Sequence, residues 1–187
     1  SSSAALEGGI AFGLNELCRF GKSTRELALL DQRAEHGFPG VQCGIMDQYA
    51  NMLGRKDHVL LLDCRNVSHE YIPFHTEGYE IILINTKVHH SLASSQYNQR
   101  REECGKGLAV MRERSGMHSF RDIEDPSVLL AYQSEMGEKV YSRCRYVVEE
   151  IRRTRSAANL LRENKMADFG ELMFETHAGL RDLYQVS

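Results

Sequence analysis

The 187-residue chain sets one carboxylate, Asp47, inside the stretch CGIMDQYANMLG (Cys43–Gly54), among Cys, Gly, Ile and Met side chains. A carboxylate in apolar company needs hydrogen-bonding or charged partners. It reads either as a helix N-cap accepting a backbone N–H or as an acid kept for chemistry. Glu35 lies twelve positions earlier, ahead of the Gly/Pro-containing loop HGFPG. If that loop folds back, the two acids share one pocket, where one binds a metal ion and the other accepts a proton. The plainer alternative makes Glu35 an exposed acid at a helix end.

The chain opens on SSSAALE. Hydroxyls and backbone N–H groups at a helix N-terminus face the positive end of the macrodipole. Ser1, Ser2 and Ser3 therefore form either a seat for phosphate oxygens, with a hydroxyl able to ligate Mg2+, or an ordinary N-cap cluster. Tyr97 offers a ring to stack on or hydrogen-bond a ligand. Arg100 and Arg101 read as anion contacts or, more plainly, as a solvated helix face. His89 and His90 are adjacent, which is poor spacing for two ligands on one metal. Glu175, His177, Arg181 and Asp182 in ETHAGLRDLY read as a surface ion-pair network of small energetic weight.

The elements that must position these residues follow from periodicity and punctuation. Ala5, Leu6, Ile10, Phe12, Leu14 and Leu17 recur at helical spacing from Ala4 to Cys18, against three glycines that weaken the helix. Ser23 and Thr24, with Glu26 soon after, cap a second helix that ends near HGFPG. Cys43–Leu53 forms a third, short one. HVLLLDC and HEYIPF read as strands, and YEIILINT (Tyr79–Thr86) is the strongest strand signal of all. A loop and a long helix follow, then another helix with an Asp-Pro start, Pro126 in its first turn, continuing for several turns, and a tail helix running into a turn. The expectation is an α+β chain with a mixed first part, 1–75, and a mainly helical second part, 76–187.

With 42% hydrophobic residues the chain has enough apolar material for a core. A net charge of -3 and a pI near 6.2 leave no basic excess, which argues against nucleic acid as a partner. No apolar run approaches the roughly 18 residues of a membrane-spanning helix, so a soluble, cytoplasmic protein is expected. Five cysteines, odd in number and never spaced C-x-x-C, point to reduced thiols, most of them buried. The start at SSSAALEGG and the stop at YQVS look cut at both ends.

Taken together, these pieces resemble the galactokinases of the GHMP small-molecule kinase superfamily. SSSAALE resembles the end of that family's phosphate motif, P-x-G-x-G-L-S-S-S-A-(A/S)-L-E. AEH followed by CGIMDQYANMLGRKDHVLLLDCR resembles the segment around its catalytic acid, and NTKVHHSLASSQYNQRREEC and LMFETHAGLRDLYQVS resemble two later stretches. The resemblance implies a two-lobed fold: a ribosomal protein S5 domain 2-like N-terminal lobe and a ferredoxin-like C-terminal lobe, incomplete at both ends. It implies ATP-dependent phosphorylation of the C1 hydroxyl of galactose by a monomeric protein.

By the same resemblance Asp47 is the proton acceptor facing that hydroxyl, and Gly44 and Tyr97 contact the sugar. Ser1, Ser2 and Ser3 cradle the ATP phosphates, and Ser3 with Glu35 holds Mg2+. His89 stands where some relatives carry an Arg near the nucleotide. The family's first motif, G-R-(T/V)-N-L-I-G-E-H-T-D-Y, the glycines of its phosphate loop and its third motif have no counterpart in these residues, so the 187 residues alone are expected to be inactive. A galactose sensor and an N-acetylgalactosamine kinase are the alternative readings.

Overall fold

The computed structural model describes residues 2–85, 87 and 93–186, without the side chains of 93–96. The chain divides into two compact units, 1–94 and 95–187.

In the first unit, α1 (Ser2–Cys18), α2 (Thr24–Gly37) and α3 (Met46–Leu53) pack on one another, followed by the antiparallel hairpin β1 (His58–Asp63) and β2 (Ser68–Pro73). Small side chains let α1 approach its neighbours: Ala4 and Gly8 are buried, and a Cβ at Gly8 would stand 3.1 Å from Met52 Cε. The capping box foreseen at Ser23 forms, with the Ser23 hydroxyl accepting from Glu26 N–H at 3.3 Å and Ser23 N–H donating to Glu26 Oε2 at 2.9 Å. Ala28, Ile45 and Tyr49 make the local core, lined by Leu29, Met52, Leu53 and Leu62. Arg25 donates to the carbonyls of Asn66 and Val67, fastening α2 to the hairpin turn.

The strongest strand expectation fails. Residues 79–85 carry no ladder, and β1 and β2 are the only strands among the described residues. Ile81, Ile82, Leu83 and Ile84 are 71–93% exposed. β propensity is fulfilled only when a neighbouring strand takes up the N–H and C=O groups, and none is paired here.

The second unit is helical. It consists of α4 (Ala93–Ser115), which begins at the edge of the first unit, α5 (Gln133–Arg162) and α6 (Met166–Gly179), with 3-10 turns at 120–122 and 126–132 and a π turn at 180–184. Asp125 accepts from Ser127 N–H at 3.0 Å with Pro126 just inside, the start foreseen, but the segment it opens is 3-10 and the α-helix begins only at Gln133. Gly137, at φ 72°, breaks the helical path within α5 in a conformation that favours glycine. Met111, Ile123, Leu129, Met136, Tyr141, Cys144 and Val148 form the core.

All five cysteines are free. Burial corrects the expectation about them: Cys144 is buried, Cys43 and Cys104 are partly so, and Cys18 and Cys64 are exposed. No helix among the described residues is long and apolar enough to cross a membrane.

Candidate functional site

Asp47 sits in the first turn of α3, half-buried. The N-cap position belongs to Ile45, which makes no side-chain cap bond, so the capping explanation for Asp47 falls. A carboxylate one turn into a helix is favoured by the macrodipole and leaves its oxygens for other partners. Gly44, just before the cap, is exposed.

The loop leading into α3 is held from α2. Gln32 Nε2 donates to the Cys43 carbonyl at 3.3 Å, and His36 Nε2 lies 2.9 Å from the same oxygen. Val41 N–H donates to the Glu35 carbonyl at 3.2 Å. These bonds fold HGFPG back as the convergence of the two acids requires. The Cys43 thiol records the result: burial foremost pushes it up, and the charges of Glu35 and Asp47 both push it the same way, while the bond from Gln48 opposes them. One sulfur thus lies within electrostatic reach of both carboxylates.

Glu35 is 8% exposed, which overturns the reading of it as an exposed helix-end acid. It belongs to an acidic group that the sequence reading missed. Asp31, one turn earlier on α2, is 3% exposed, and Glu7 reaches in from α1. Burial first, then the charges of Glu35 and Asp31, hold the Glu7 carboxyl above its ordinary range, and burial does the same to Asp31. Glu7 Oε2 and Asp31 Oδ2 are buried without a hydrogen-bond partner. The i, i+4 spacing of Asp31 and Glu35 was the available signal, because it puts both on one helix face.

Ser2 and Ser3 open α1 and are exposed, so the helix begins earlier than the Ala4 expected. Ser1 and His89 lie outside the described residues. No three His, Cys, Asp or Glu side chains among the described residues form a ready-made metal cage. Orphaned carboxylate oxygens around Glu35 nonetheless suit a cation such as Mg2+, which keeps several waters and takes one or two carboxylates together with substrate phosphates. The concavity lined by Lys22, Leu27, Leu30, Gln32 and Arg33 includes none of Ser2, Ser3, Glu7, Asp31, Glu35 and Asp47.

In the second unit Tyr97 stands on α4, 47% exposed. Arg100 is not a solvated cation: it pairs with the buried Glu103 carboxylate at 3.2 Å and holds the chain at 184–185. Its Nε donates to the Tyr184 carbonyl and its Nη2 to the Gln185 carbonyl, each at 2.8 Å. The expected network in ETHAGLRDLY is real only in part: Arg181 and Asp182 pair on the surface, whereas Glu175 pairs with Arg153 of α5.

Residues 1–55 match the family model described as GHMP kinases N terminal domain. The whole chain is 43% identical to a galactokinase of Roseiflexus sp. (strain RS-1), 48% of which it covers. It is 39% identical to a galactokinase of Homo sapiens, 46% of which it covers. The crystal structure of Lactococcus lactis galactokinase complexed with galactose matches with a TM-score of 0.92 at 31% identity, over 99% of this chain and 48% of that one. The chain therefore carries a GHMP kinase N-terminal segment and has the GHMP fold over the portion it spans. Its homologues are galactokinases, 35 to 43% identical over the chain's full length. The chain spans about half the length of the curated relatives it matches.

Proposed function

We propose that this chain supplies the phosphate-seat and proton-acceptor part of an ATP-dependent galactokinase, which converts galactose to galactose 1-phosphate. The observation that carries the reading is the folding back of the loop between Glu35 and Asp47, held by Gln32 and His36 at the Cys43 carbonyl, in a chain whose homologues are galactokinases. Residues 1–75 are then the closing part of the N-terminal lobe and 76–187 the opening part of the C-terminal lobe.

Phosphoryl transfer asks little covalent chemistry of the protein; it needs in-line oxygens and a neutralised transferring group. Ser1, Ser2 and Ser3 hold ATP phosphate oxygens at the start of α1. Ser3 and Glu35 would hold Mg2+, which would offset the phosphate charge. Asp47 orients the sugar C1 hydroxyl and takes its proton, and the backbone at Gly44 and the Tyr97 side chain contact the sugar. The reading includes a monomeric, cytoplasmic protein, and the free thiols support that location.

The test is Asp47→Asn in the protein that carries this sequence, followed by galactose-dependent ADP release. Turnover falls by roughly 10²–10⁴-fold, while galactose binding by calorimetry persists. Near-normal kcat overturns the role of Asp47. A wild-type protein that binds galactose and ATP without releasing ADP is a sensor, and one that prefers N-acetylgalactosamine is a kinase of another sugar. Glu35→Ala raises the Mg2+ concentration needed for half-maximal rate; an unchanged titration removes it from the metal site.

A further inference from the structure

Residues 95–187 hold a second chemically active pair, which the proposed phosphoryl transfer does not use. Cys104 on α4 and Cys144 on α5 are joined by a hydrogen bond between their side chains. Cys144 is fully buried and Cys104 half-buried. Cys144 seats against α4 one turn past Cys104, where the residue must be glycine, because a Cβ at Gly107 would stand 2.2 Å from Cys144 Sγ. The Glu103–Arg143 pair at 3.3 Å, one residue before each cysteine, joins α4 to α5 at the same level, so two free thiols meet where an S–S bond of about 2.0 Å is the covalent form open to them.

The surroundings give the two sulfurs different roles. The bond from Cys144 foremost draws the Cys104 thiol below its usual range; burial opposes this, and the Tyr184 hydroxyl and the Arg143 guanidinium assist it. The Cys104 thiol donates to the Tyr184 hydroxyl oxygen at 3.9 Å when neutral, and that hydroxyl can donate back to a thiolate. Cys144 is pushed up by the same bond and by its burial. The partly exposed sulfur is the one an oxidant reaches, and its fully buried neighbour is the one placed to resolve the product.

We infer that Cys104 and Cys144 are a peroxide-sensitive dithiol that closes to a disulfide between α4 and α5. The Cys104 thiolate attacks one oxygen of hydrogen peroxide. The S–O bond forms, the O–O bond breaks, and the departing hydroxide takes a proton to leave as water, so Cys104 becomes a sulfenic acid. Cys144 sulfur then attacks Cys104 sulfur. The S–S bond forms, the S–O bond breaks, and hydroxide leaves as water with the Cys144 proton. Two electrons pass from the thiols to the peroxide. The bond cross-links α4, which carries Tyr97 two turns ahead of Cys104, to α5, and it removes the Cys104 thiol from Tyr184.

The experiment treats the protein that carries this sequence with hydrogen peroxide, blocks remaining thiols by alkylation and maps the peptides by mass spectrometry. The expected product is a linked pair of the Cys104 and Cys144 peptides, lighter by two hydrogens and restored by dithiothreitol. It forms before oxygen adds to the exposed Cys18 and Cys64. Cys144→Ser leaves a sulfenic acid at Cys104 that dimedone traps, and Cys104→Ser leaves Cys144 reduced. Irreversible oxygen addition at Cys104 without a link overturns the inference, as does oxidation of Cys18 and Cys64 while the pair stays reduced. The wild-type map alone decides the matter if either variant fails to fold.

Discussion

The two units treat buried carboxylates in opposite ways. In residues 95–187 Glu103, 6% exposed, is surrounded by cations: Lys139 at 2.7 Å, Arg100 at 3.2 Å and Arg143 at 3.3 Å. Burial alone would raise its carboxyl, but the bonds from Lys139 and Arg143 hold it below the ordinary glutamate range. In residues 1–94 Glu7, Asp31 and Glu35 crowd together, two oxygens go unpartnered, and Glu7 and Asp31 are raised. A satisfied network fixes structure, whereas an unsatisfied one costs stability and persists where function needs it. The proposed kinase would give the second arrangement a purpose, since a cation bound with nucleotide would supply the missing partner.

The largest expected effect breaks the satisfied side. Arg143, 1% exposed, also donates to the Leu183 carbonyl and, at 2.7 Å, to the Gln185 side chain, so it ties the end of the chain to α4 and α5. Arg143→Ala leaves Glu103 buried with fewer partners and frees the 183–185 segment. Loss of one partner from such a pair costs about 3–5 kcal/mol. Hydrogen exchange should show amides of α5 and 180–185 losing protection while those of α1 and α2 keep theirs. Uniform loss across both units would mean that the network is not local to 95–187.

The unsatisfied side should respond with the opposite sign. Asp31→Asn removes a charge from a site 3% exposed, facing Gly8 and Met52. The amide is still a buried polar group, so the gain is confined to the charge that burial penalises, seen as greater protection of α1 and α2 at neutral pH. At acid pH, where Asp31 is already protonated, the gain should vanish. A loss of protection at neutral pH would show that Asp31 has a stabilising partner.

pH separates the units without mutation. Glu7 and Asp31 have raised carboxyls in the folded state, so their contribution is fully present below their unfolded values and is lost as pH rises through the folded ones. Glu103 is lowered, so its contribution is present above the unfolded value, about 4.3, and is lost as pH falls through the folded one. Acidification from neutral should first strengthen 1–94 and then, below about pH 4, loosen 95–187. Parallel loss of protection in both units during the first step would remove the contrast.

Local signals were readable in advance and distant ones were not. The Ser23–Glu26 box, the two strands β1 and β2 and the Asp125–Pro126 start each depend on residues a few positions apart, so spacing states them. Asp47 and Glu35 could be picked out by type, yet only the bonds from Gln32 and His36 to the Cys43 carbonyl show that the loop folds back. Glu7 joins Asp31 across two helices, and Cys104 meets Cys144 across forty positions; neither meeting has a local cue. The strand expected at 79–86 failed for the converse reason. Its composition favours a strand, but a ladder needs a partner that periodicity cannot supply.

The smallest effect tests whether neutral bonds in 1–94 do what charged ones do in 95–187. Tyr49, 2% exposed, places its hydroxyl 2.8 Å from His69 Nδ1, and the His69 ring meets Tyr71 edge-on at 4.6 Å between centroids. The Tyr71 hydroxyl donates to the Leu53 carbonyl at 2.7 Å, so α3, which carries Asp47, is tied to β2 at two points. Tyr49→Phe keeps the ring in the Ala28–Ile45 core and removes only the hydroxyl, which should cost about 0.5–1.5 kcal/mol. Because Tyr71 still anchors the end of α3, the helix should stay seated and galactose-dependent ADP release should change less than twofold. A larger fall in turnover than in protection would mean that α3 is positioned chiefly through Tyr49, and that the neutral bonds of this unit serve the site as directly as its carboxylates do.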